Sequence, residues 1–358
     1  MMNFQIQTTN ISDILIKWYE QNKRDLPWRN ISDPYRIWIS EIILQQTRVN
    51  QGMNYYLKLI ERFPNVKALA EANEDEVLKY WQGLGYYTRA RNLHKAAKQI
   101  VADFDGIFPT LHSDVLKLAG IGDYTAAAIC SFAYNQPYAV VDGNVYRVLS
   151  RLFAIENPID TNSGKKEFTL LAQSLISQSE PALHNQAIME FGALQCTPSS
   201  PDCLNCPLNS LCRAFELKTV AGLPVKSQKT KVTNRYFNYL FIEFQGNTFL
   251  QKRTAKDVWQ NLYEFPLIET DHLLSPAELI ENPDFKSLFN ETAETDIIKI
   301  SNPMKHVLSH RVLYAQFISI KISTLPDSFS HLNQVSISEI DEYAVSRLME
   351  LFLEKLTK

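Results

Sequence analysis

Four of the five cysteines lie close together past the middle of the chain, and they restrict the fold more than any other feature. They are Cys196, Cys203, Cys206 and Cys212, separated by six, two and five residues. No basic start followed by an apolar stretch marks a secretory signal, so we expect metal ligation rather than disulfides. Thiolates at such spacings enclose either one tetrahedral zinc ion or a cubane iron–sulfur cluster. The unequal loops differ from the paired knuckles of common zinc sites, but generic chemistry leaves the two alternatives nearly even.

Helical periodicity dominates from about residue 10 to residue 215. Pro34 opens a long predicted helix over 35–51, because proline suits the first helical turn. Glycines and prolines separate the other helices. These other predicted helices span 11–20, 52–62, 74–82, 90–104, 113–119, 124–133, 144–153, 165–176 and 181–195.

The character of the chain changes after the cysteines. Residues 217–233 are polar, lysine-rich and weakly periodic, as in a linker. Segments 236–244 and 313–322 are rich in β-branched and aromatic residues, which predicts strands, and a helix is predicted near 342–356. The sequence therefore predicts a mainly α domain over 1–216, a linker over 217–233 and a smaller α+β domain over 234–358.

A glycine-containing turn joins two short predicted helices at 118–126. Gly120 and Gly122 allow the backbone to turn sharply and to approach a ligand closely. The second helix begins there, so its free N–H groups and positive dipole end suit a phosphate. The alternative is a plain corner between helices, which an isolated Gly-x-Gly would favour.

Asp142 precedes a predicted helix that starts near Asn144. Capping alone is the ordinary explanation for such an aspartate. The helix dipole also favours its ionised form. An anion held beside a sugar stabilises an oxocarbenium-like transition state, as one carboxylate of a glycosidase pair does. The pattern is compatible with both roles.

Glu41 is the one acid in the apolar stretch 37–47. On a solvated helical stripe it would face Gln45 and Arg48, and the pattern alone favours that interpretation. Partial burial would instead raise its pKa and keep it protonated near neutral pH. A protonated carboxyl in an enclosed site is able to act as a general acid.

The string SEIILQQT at 40–47 resembles the matching stretch of MutY-type adenine DNA glycosylases. The cysteine spacing and the glycine turn resemble those of the wider endonuclease III superfamily. The resemblance covers nearly the whole chain and is strongest from about 24 to 212. It implies a helix-hairpin-helix fold, one [4Fe-4S] cluster on the four cysteines, Glu41 as general acid and Asp142 as the group that stabilises the sugar cation.

The same resemblance assigns DNA contacts to residues in the strings RDLPWR, HNQAIMEFG, GLGYYTRARNL and HVLSH. For the aromatic residues the alternative is core packing, and for 309–310 it is an ordinary polar turn. The implied contacts are the adenine pocket for Arg24, Trp28, Arg29 and Gln186, the duplex near the lesion for Gln46 and Thr47, the damaged guanine for Tyr86, Ser309 and His310, and a phosphate for Gly120 and Gly122.

Tyr124 stands where related enzymes that also cut the strand have a lysine, which forms a Schiff base with the sugar. The resemblance therefore implies a monofunctional enzyme that removes adenine opposite 8-oxoguanine or guanine, with Tyr124 and Asn144 beside Asp142. The C-terminal region resembles a Nudix domain without its glutamate-rich metal box, so we do not expect nucleotide hydrolysis. Two residues depart from the family pattern: Asn261 replaces a glycine and Leu308 replaces a phenylalanine.

The net charge of −3 gives no global basic surplus, so only local segments such as 86–95 favour a polyanion. No segment is long and apolar enough to cross a membrane. We expect a cytoplasmic monomer that binds double-stranded DNA. Two alternatives stay open: a glycosylase for another mispair, such as one that removes thymine, and a non-enzymatic DNA-binding protein with zinc on the cysteines.

Overall fold

The computed structural model describes residues 2–227, 232–289 and 295–356, so residues 228–231 of the predicted linker lie outside the described residues. The chain divides into two compact units, one formed by Met1–Glu71 with Asn92–Gln228 and the other by Ala72–Arg91 with Lys229–Lys358. Among the described residues, no helix has the length and apolar character needed to cross a membrane.

The described helices and strands follow in chain order. The α-helices are α1 (Met2–Asn22), α2 (Pro34–Leu44), α3 (Val49–Arg62), α4 (Val66–Glu71), α5 (Glu74–Trp81), α6 (Thr88–Asp103), α7 (His112–Val115), α8 (Asp123–Tyr134), α9 (Gly143–Phe153), α10 (Asn162–Leu175), α11 (Pro181–Leu194), α12 (Arg213–Glu216), α13 (Pro276–Glu281), α14 (Pro283–Phe289) and α15 (Arg347–Leu356). The strands are β1 (Thr233–Glu243), β2 (Asn247–Lys252), β3 (Tyr263–Glu264), β4 (Leu267–Thr270), β5 (Thr295–Ile300), β6 (Met304–Val307), β7 (Arg311–Ile322) and β8 (Asn333–Ser336).

The first unit is helical, as predicted. Helix α11 contacts α1, α8 and α9, while α2 packs against α3 and α8. Its core includes the fully buried side chains of Leu15, Trp38, Phe168 and Phe191. Burial of such large apolar side chains is the main stabilising contribution to a helical unit of this kind.

The prediction of one long helix over 35–51 is wrong in its second half. Helix α2 ends at Leu44 and α3 begins at Val49. Between them, Gln46 has a φ of 58°, in the left-handed region that interrupts a helix. The two helices then pack closely, since a Cβ on Gly52 would lie only 3.0 Å from Cγ2 of Ile43. The break leaves Gln46 exposed.

Two further predicted helices are shorter in the structure. The helix predicted over 113–119 is reduced to α7, His112–Val115, followed by turns. The C-terminal helix, predicted near 342–356, begins at Arg347 after a 3-10 helix over Ile337–Glu342. Both predicted strands are confirmed as β1 and β7.

The second unit is α+β, as predicted, and contains two sheets. The larger sheet has the order β4-β1-β7-β5, with β6 also paired to β7, and the smaller has the order β3-β2-β8. Strands β1 and β7 run parallel, and the other pairs are antiparallel. Phe317 stacks on Phe352 of α15 with ring centroids 4.2 Å apart, which fixes that helix against the sheet.

Residues 72–91 pack with the second unit, although they lie inside the first predicted domain. Asp75 of α5 accepts hydrogen bonds from Lys252 and from the hydroxyl of Tyr263. Arg91 donates to the carbonyl oxygen of Gln260 at 2.7 Å.

Asn261, at a φ of 67°, donates to Glu74. Asparagine tolerates the left-handed region better than most residues, which accounts for its presence where the family has a glycine. The domain boundaries predicted from the sequence stay a proposal.

Candidate active site

A cleft of about 740 Å³ opens in the first unit. Its walls come from the segment after α1, from α2 and the loop that follows it, and from the beginnings of α8 and α9 together with α11. Of the residues predicted for the site, Arg24, Trp28, Arg29, Glu41, Gln46, Thr47, Tyr124, Asp142 and Asn144 line this cleft.

Glu41 is a buried acid on the cleft wall, only 7% exposed. The hydroxyl of Tyr124 donates a hydrogen bond to its Oε2 at 2.6 Å. Burial raises the pKa of Glu41 above its ordinary value, and this outweighs the lowering by Tyr124 and by the positive charge of Arg29. The solvated-stripe interpretation is therefore wrong, because the carboxyl faces an enclosed cleft.

Asp142 caps α9. Its Oδ1 accepts from the backbone N–H groups of Asn144 at 2.9 Å and Val145 at 2.8 Å, and its Oδ2 accepts from Nδ2 of Asn144 at 2.8 Å. Burial nevertheless raises the pKa of Asp142, against the lowering by these three donors and by the charge of Arg147. The expectation that the helix terminus alone would favour the ionised form is therefore incomplete, because desolvation acts in the opposite direction.

The two carboxyls differ in their donors rather than in the direction of their pKa shifts. Asp142 accepts three N–H hydrogen bonds, a set that suits an anion. Glu41 accepts one hydrogen bond at Oε2, from the hydroxyl of Tyr124, and the residue lines the cleft. Tyr124 hydrogen-bonds to Glu41, and it also lies close enough to Asp142 for the charge of that carboxyl to raise the pKa of the Tyr124 phenol. Asn144 does lie beside Asp142, and Arg147 holds its amide by donating to Oδ1 at 2.8 Å.

An ion-pair network forms a further part of the cleft wall. Glu190 is 2% exposed and accepts from Nε of Arg24 at 2.6 Å and from its Nη2 at 2.8 Å. Arg29 lies 3.7 Å from the same carboxylate. Glu190 was missed by sequence reasoning, although a lone acid within the apolar α11 was a usable signal. Trp28 is buried against Tyr56 with ring centroids 5.1 Å apart, so it both packs in the core and lines the cleft.

Gln186 is not among the residues that line this cleft. Its Oε1 accepts from the hydroxyl of Tyr19 at 2.8 Å. Gln46 and Thr47 follow the break after α2 and lie at the mouth, with Gln46 exposed and Thr47 half-buried.

The glycine turn before α8 has the geometry that its sequence requires. Gly120 has a φ of 73°, and a Cβ there would lie 2.6 Å from Cβ of Asn92. Gly122 is the N-cap of α8, and a Cβ added there would meet no atom within 4 Å. The turn thus presents free backbone N–H groups at the start of a helix of 12 residues.

The four clustered cysteines line one small cavity in the first unit, together with Arg151, Phe215 and Val220 among others. Cys196 accepts a hydrogen bond from Nη1 of Arg151 at 3.4 Å. Within the described residues, no three His, Cys, Asp or Glu side chains are arranged around a single metal ion. Four thiols converging on one largely apolar cavity nevertheless fit an iron–sulfur cluster, whose four irons each take one thiolate.

The second unit contains a separate cavity of about 680 Å³ beside the turn between β6 and β7. Leu308 N–H donates to the carbonyl oxygen of Arg311 at 2.8 Å, which closes this turn. Ser309 and His310 are exposed at its tip. The hydroxyl of Tyr86 lies 2.7 Å from Oγ of Ser309, so two residues assigned to the damaged guanine are neighbours.

Family models and solved structures agree with this architecture. Residues 39–174 match the HhH-GPD superfamily of base excision DNA repair proteins, and residues 238–355 match a NUDIX domain. A thermostable thymine-DNA glycosylase aligns with a TM-score of 0.55 and 28% identity, over 59% of this chain and 97% of its own. An endonuclease III–DNA complex aligns with a TM-score of 0.51 and 25% identity, over 60% of this chain and 97% of its own. The fold and the site thus define a helix-hairpin-helix protein of DNA base excision repair.

Comparison with sequence relatives identifies the family within this class. The adenine DNA glycosylase of Buchnera aphidicola subsp. Baizongia pistaciae (strain Bp) is 37% identical over 89% of this chain and 88% of the relative. That of Buchnera aphidicola subsp. Schizaphis graminum (strain Sg) is 36% identical over 72% and 75%. The Homo sapiens relative of the same name is 42% identical over 58% of this chain and 40% of its own length. The chain belongs to the adenine DNA glycosylase family and is a DNA N-glycosylase.

Proposed function

We propose that this enzyme removes adenine mispaired with 8-oxoguanine or guanine from double-stranded DNA, and that it does not cut the strand. The observation that carries the proposal is the convergence of Glu41 and Asp142 on one cleft with different sets of donors. Glycosidases use two carboxyls in the same way, one as acid and one as anion.

Glu41 is the proton donor in this scheme. It protonates a ring nitrogen of adenine, so that the electron pair of the N-glycosidic bond leaves with the base. Asp142, ionised and held by Asn144 and two backbone N–H groups, stabilises the positive charge that develops on the sugar. Water then adds to the sugar carbon and releases a proton, which leaves an abasic site.

The wall formed by Trp28, Arg24, Arg29 and Glu190 suits a flipped base. The indole ring of Trp28 offers a face for stacking, and the charged groups offer hydrogen bonds to a polar base edge. Gln186, assigned to this pocket by resemblance, would need to exchange its bond with Tyr19 to reach the base. Gln46 and Thr47 at the mouth, and the N–H groups after Gly120 and Gly122, are proposed to contact the duplex.

Tyr124 supports the monofunctional assignment. A phenol cannot form the Schiff base through which a lysine would cut the strand. Burial raises the pKa of Tyr124 well above its ordinary value, and either neighbouring carboxyl raises it further when ionised, so the hydroxyl stays a hydrogen-bond donor. In this scheme, Tyr124 orients the carboxyl of Glu41 through its hydrogen bond.

The turn with Ser309 and His310, together with Tyr86, is proposed to recognise 8-oxoguanine. Its polar side chains are exposed, and the adjacent cavity gives room for a base. Leu308 supplies the apolar contact that a phenylalanine gives in relatives.

Cys196, Cys203, Cys206 and Cys212 are proposed to ligate one [4Fe-4S] cluster. When bound, such a cluster orders the loop around it and supplies no chemistry to base removal. The fit rests on the four thiols that line one cavity.

Replacing Cys203 with serine is expected to abolish the visible absorption of the cluster and to weaken DNA binding, because one of four ligands is lost. Absorption spectra with iron and sulfide analysis measure this. Cys130→Ser is the matched control, since Cys130 is buried in α8 away from the cavity and should leave the absorption intact. Zinc in place of iron, or unchanged absorption in Cys203→Ser, would contradict the assignment.

Single-turnover excision tests the proposed activity. Labelled duplexes with A opposite 8-oxoguanine, A opposite G, A opposite C and T opposite G are each assayed with and without alkali. We expect alkali-dependent cleavage at adenine, fastest opposite 8-oxoguanine. Cleavage without alkali would overturn the monofunctional assignment, and excision of thymine would replace the proposed specificity with that of the thymine glycosylases.

A further inference from the structure

Asp257 is surrounded by three arginines in the second unit. Its Oδ2 lies 2.6 Å from Nη1 of Arg235 and 3.1 Å from Nη2 of Arg253, and its Oδ1 accepts from Nη1 of Arg311 at 2.5 Å. Burial alone would raise the pKa of Asp257, but the Val258 N–H, Arg235 and Arg311 lower it to about 2. The carboxylate is therefore ionised throughout the working pH range.

The three arginines differ in what else they bind. Arg235 also pairs with Glu269, and Arg253 also pairs with Glu264. Arg311 forms its ion pair with Asp257 and is the first residue of β7, directly after the Ser309–His310 turn. Because the carbonyl oxygen of Arg311 also accepts the hydrogen bond that closes the turn, its position sets the end of the turn.

A second contact joins the same segment to the start of the turn. Trp259, two residues after Asp257, is 8% exposed, and its ring lies 5.8 Å from that of His306 by centroid. Residues 256–259 and 306–311 line the same cavity. The segment thus holds both sides of the turn, by an aromatic contact before it and an ion pair after it.

We propose that Asp257 is a positioning residue that fixes the Ser309–His310 turn through Arg311 and so determines discrimination between 8-oxoguanine and guanine. This inference rests on the proposed function of the turn. Without the carboxylate, Arg311 loses its charged partner, and its guanidinium, 42% exposed, is free to move to a DNA phosphate. The end of the turn then loses its side-chain anchor and keeps only its backbone hydrogen bonds, while the excision cleft of the first unit keeps all its groups.

Discrimination is measured as the ratio of single-turnover excision at subsaturating enzyme on A:8-oxoguanine to that on A:G. Asp257→Asn is expected to lower this ratio on the order of tenfold, because among its ion pairs the charge-assisted one with Arg311 is the one that reaches the turn. Arg311→Gln removes the same interaction from the other side and should give the same loss. The double variant should add little, because both changes act through one contact. Asp257→Glu keeps the charge and should recover part of the ratio.

The control and the rate at saturation separate positioning from general damage. Glu269→Gln removes a neighbouring ion pair of Arg235 without touching the turn, and should keep the wild-type ratio. The saturating excision rate on A:G should stay within about twofold in every variant. A wild-type enzyme without preference for 8-oxoguanine would overturn the proposed recognition of that base by the turn, on which this inference rests. A discriminating wild type with unchanged ratios in Asp257→Asn and Arg311→Gln, or additive losses in the double variant, would overturn the role of Asp257 alone.

Discussion

Replacing Asp142 with asparagine is expected to lower the single-turnover rate of adenine excision by at least about 10³-fold. Asparagine caps a helix as well as aspartate does, so α9 should keep its start at Gly143. What is lost is the negative charge beside the developing sugar cation, together with the Oδ2 acceptor for Nδ2 of Asn144. Oδ1 of Asp142 accepts from the backbone N–H groups of Asn144 and Val145, and the amide oxygen of asparagine can accept the same two hydrogen bonds. The loss should therefore fall on the chemical step rather than on DNA binding. Quenched-flow excision from A:8-oxoguanine duplexes, with affinity measured separately, checks both parts.

Asp33→Asn is the matched control for this change. Asp33 caps α2 by accepting from the backbone N–H groups of Tyr35 and Arg36, and it does not line the cleft. The same chemical change at this other N-cap should leave excision within about twofold of wild type. An Asp142→Asn enzyme that excises adenine at the wild-type rate would remove Asp142 from the mechanism, whatever its role as a cap.

Local patterns predicted the parts of the site that depend on neighbouring residues. A carboxylate two residues before a helical segment predicts a cap, and Asp142 caps α9. Two glycines within a tight turn predict backbone that other residues do not adopt, and Gly120 has a φ of 73°. These features are encoded within a few residues, so the sequence was sufficient for them.

The break after α2 was not predictable in the same way. Residues 45–48 contain neither glycine nor proline, and the helical pattern continues through them. The chain turns at Gln46 because α3 packs back on α2 at Gly52, where no Cβ intervenes. Tertiary packing thus overrides local propensity, and it places Gln46 and Thr47 at the cleft.

Ion pairs between residues that are distant in sequence account for the remaining differences from prediction. Arg24 and Glu190 meet across the first unit, and Asp75 and Lys252 meet within the second. Nothing in either local sequence marks its partner, so neither the pairing of Glu190 with Arg24 nor the packing of 72–91 with the second unit could be foreseen. The balance of burial against donors at Asp142 is likewise a property of the assembled cleft.

Replacing Glu41 with glutamine is expected to lower excision about 10²- to 10⁴-fold, the usual contribution of a general acid. Glutamine has nearly the same volume, and its carbonyl oxygen can still accept the hydroxyl of Tyr124, so the cleft should keep its shape. It has no ionisable proton to give to the base. Because the protonated form of Glu41 is the active one, the wild-type rate should fall as pH rises through the raised pKa of this carboxyl. Glu41→Gln should lose that descending limb, which rates measured across a pH series will show.

Tyr124→Phe tests whether the fall in excision rate at high pH, the descending limb of the pH profile, arises from Glu41. The hydrogen bond from Tyr124 lowers the pKa of Glu41, so its removal should raise that pKa further and move the descending limb to higher pH. Glu61→Gln, an exposed change of the same type on α3, should leave both the rate and the limb unaltered. A Glu41→Gln enzyme that keeps the descending limb, or a Tyr124→Phe enzyme whose limb moves to lower pH, would show that another group supplies the proton.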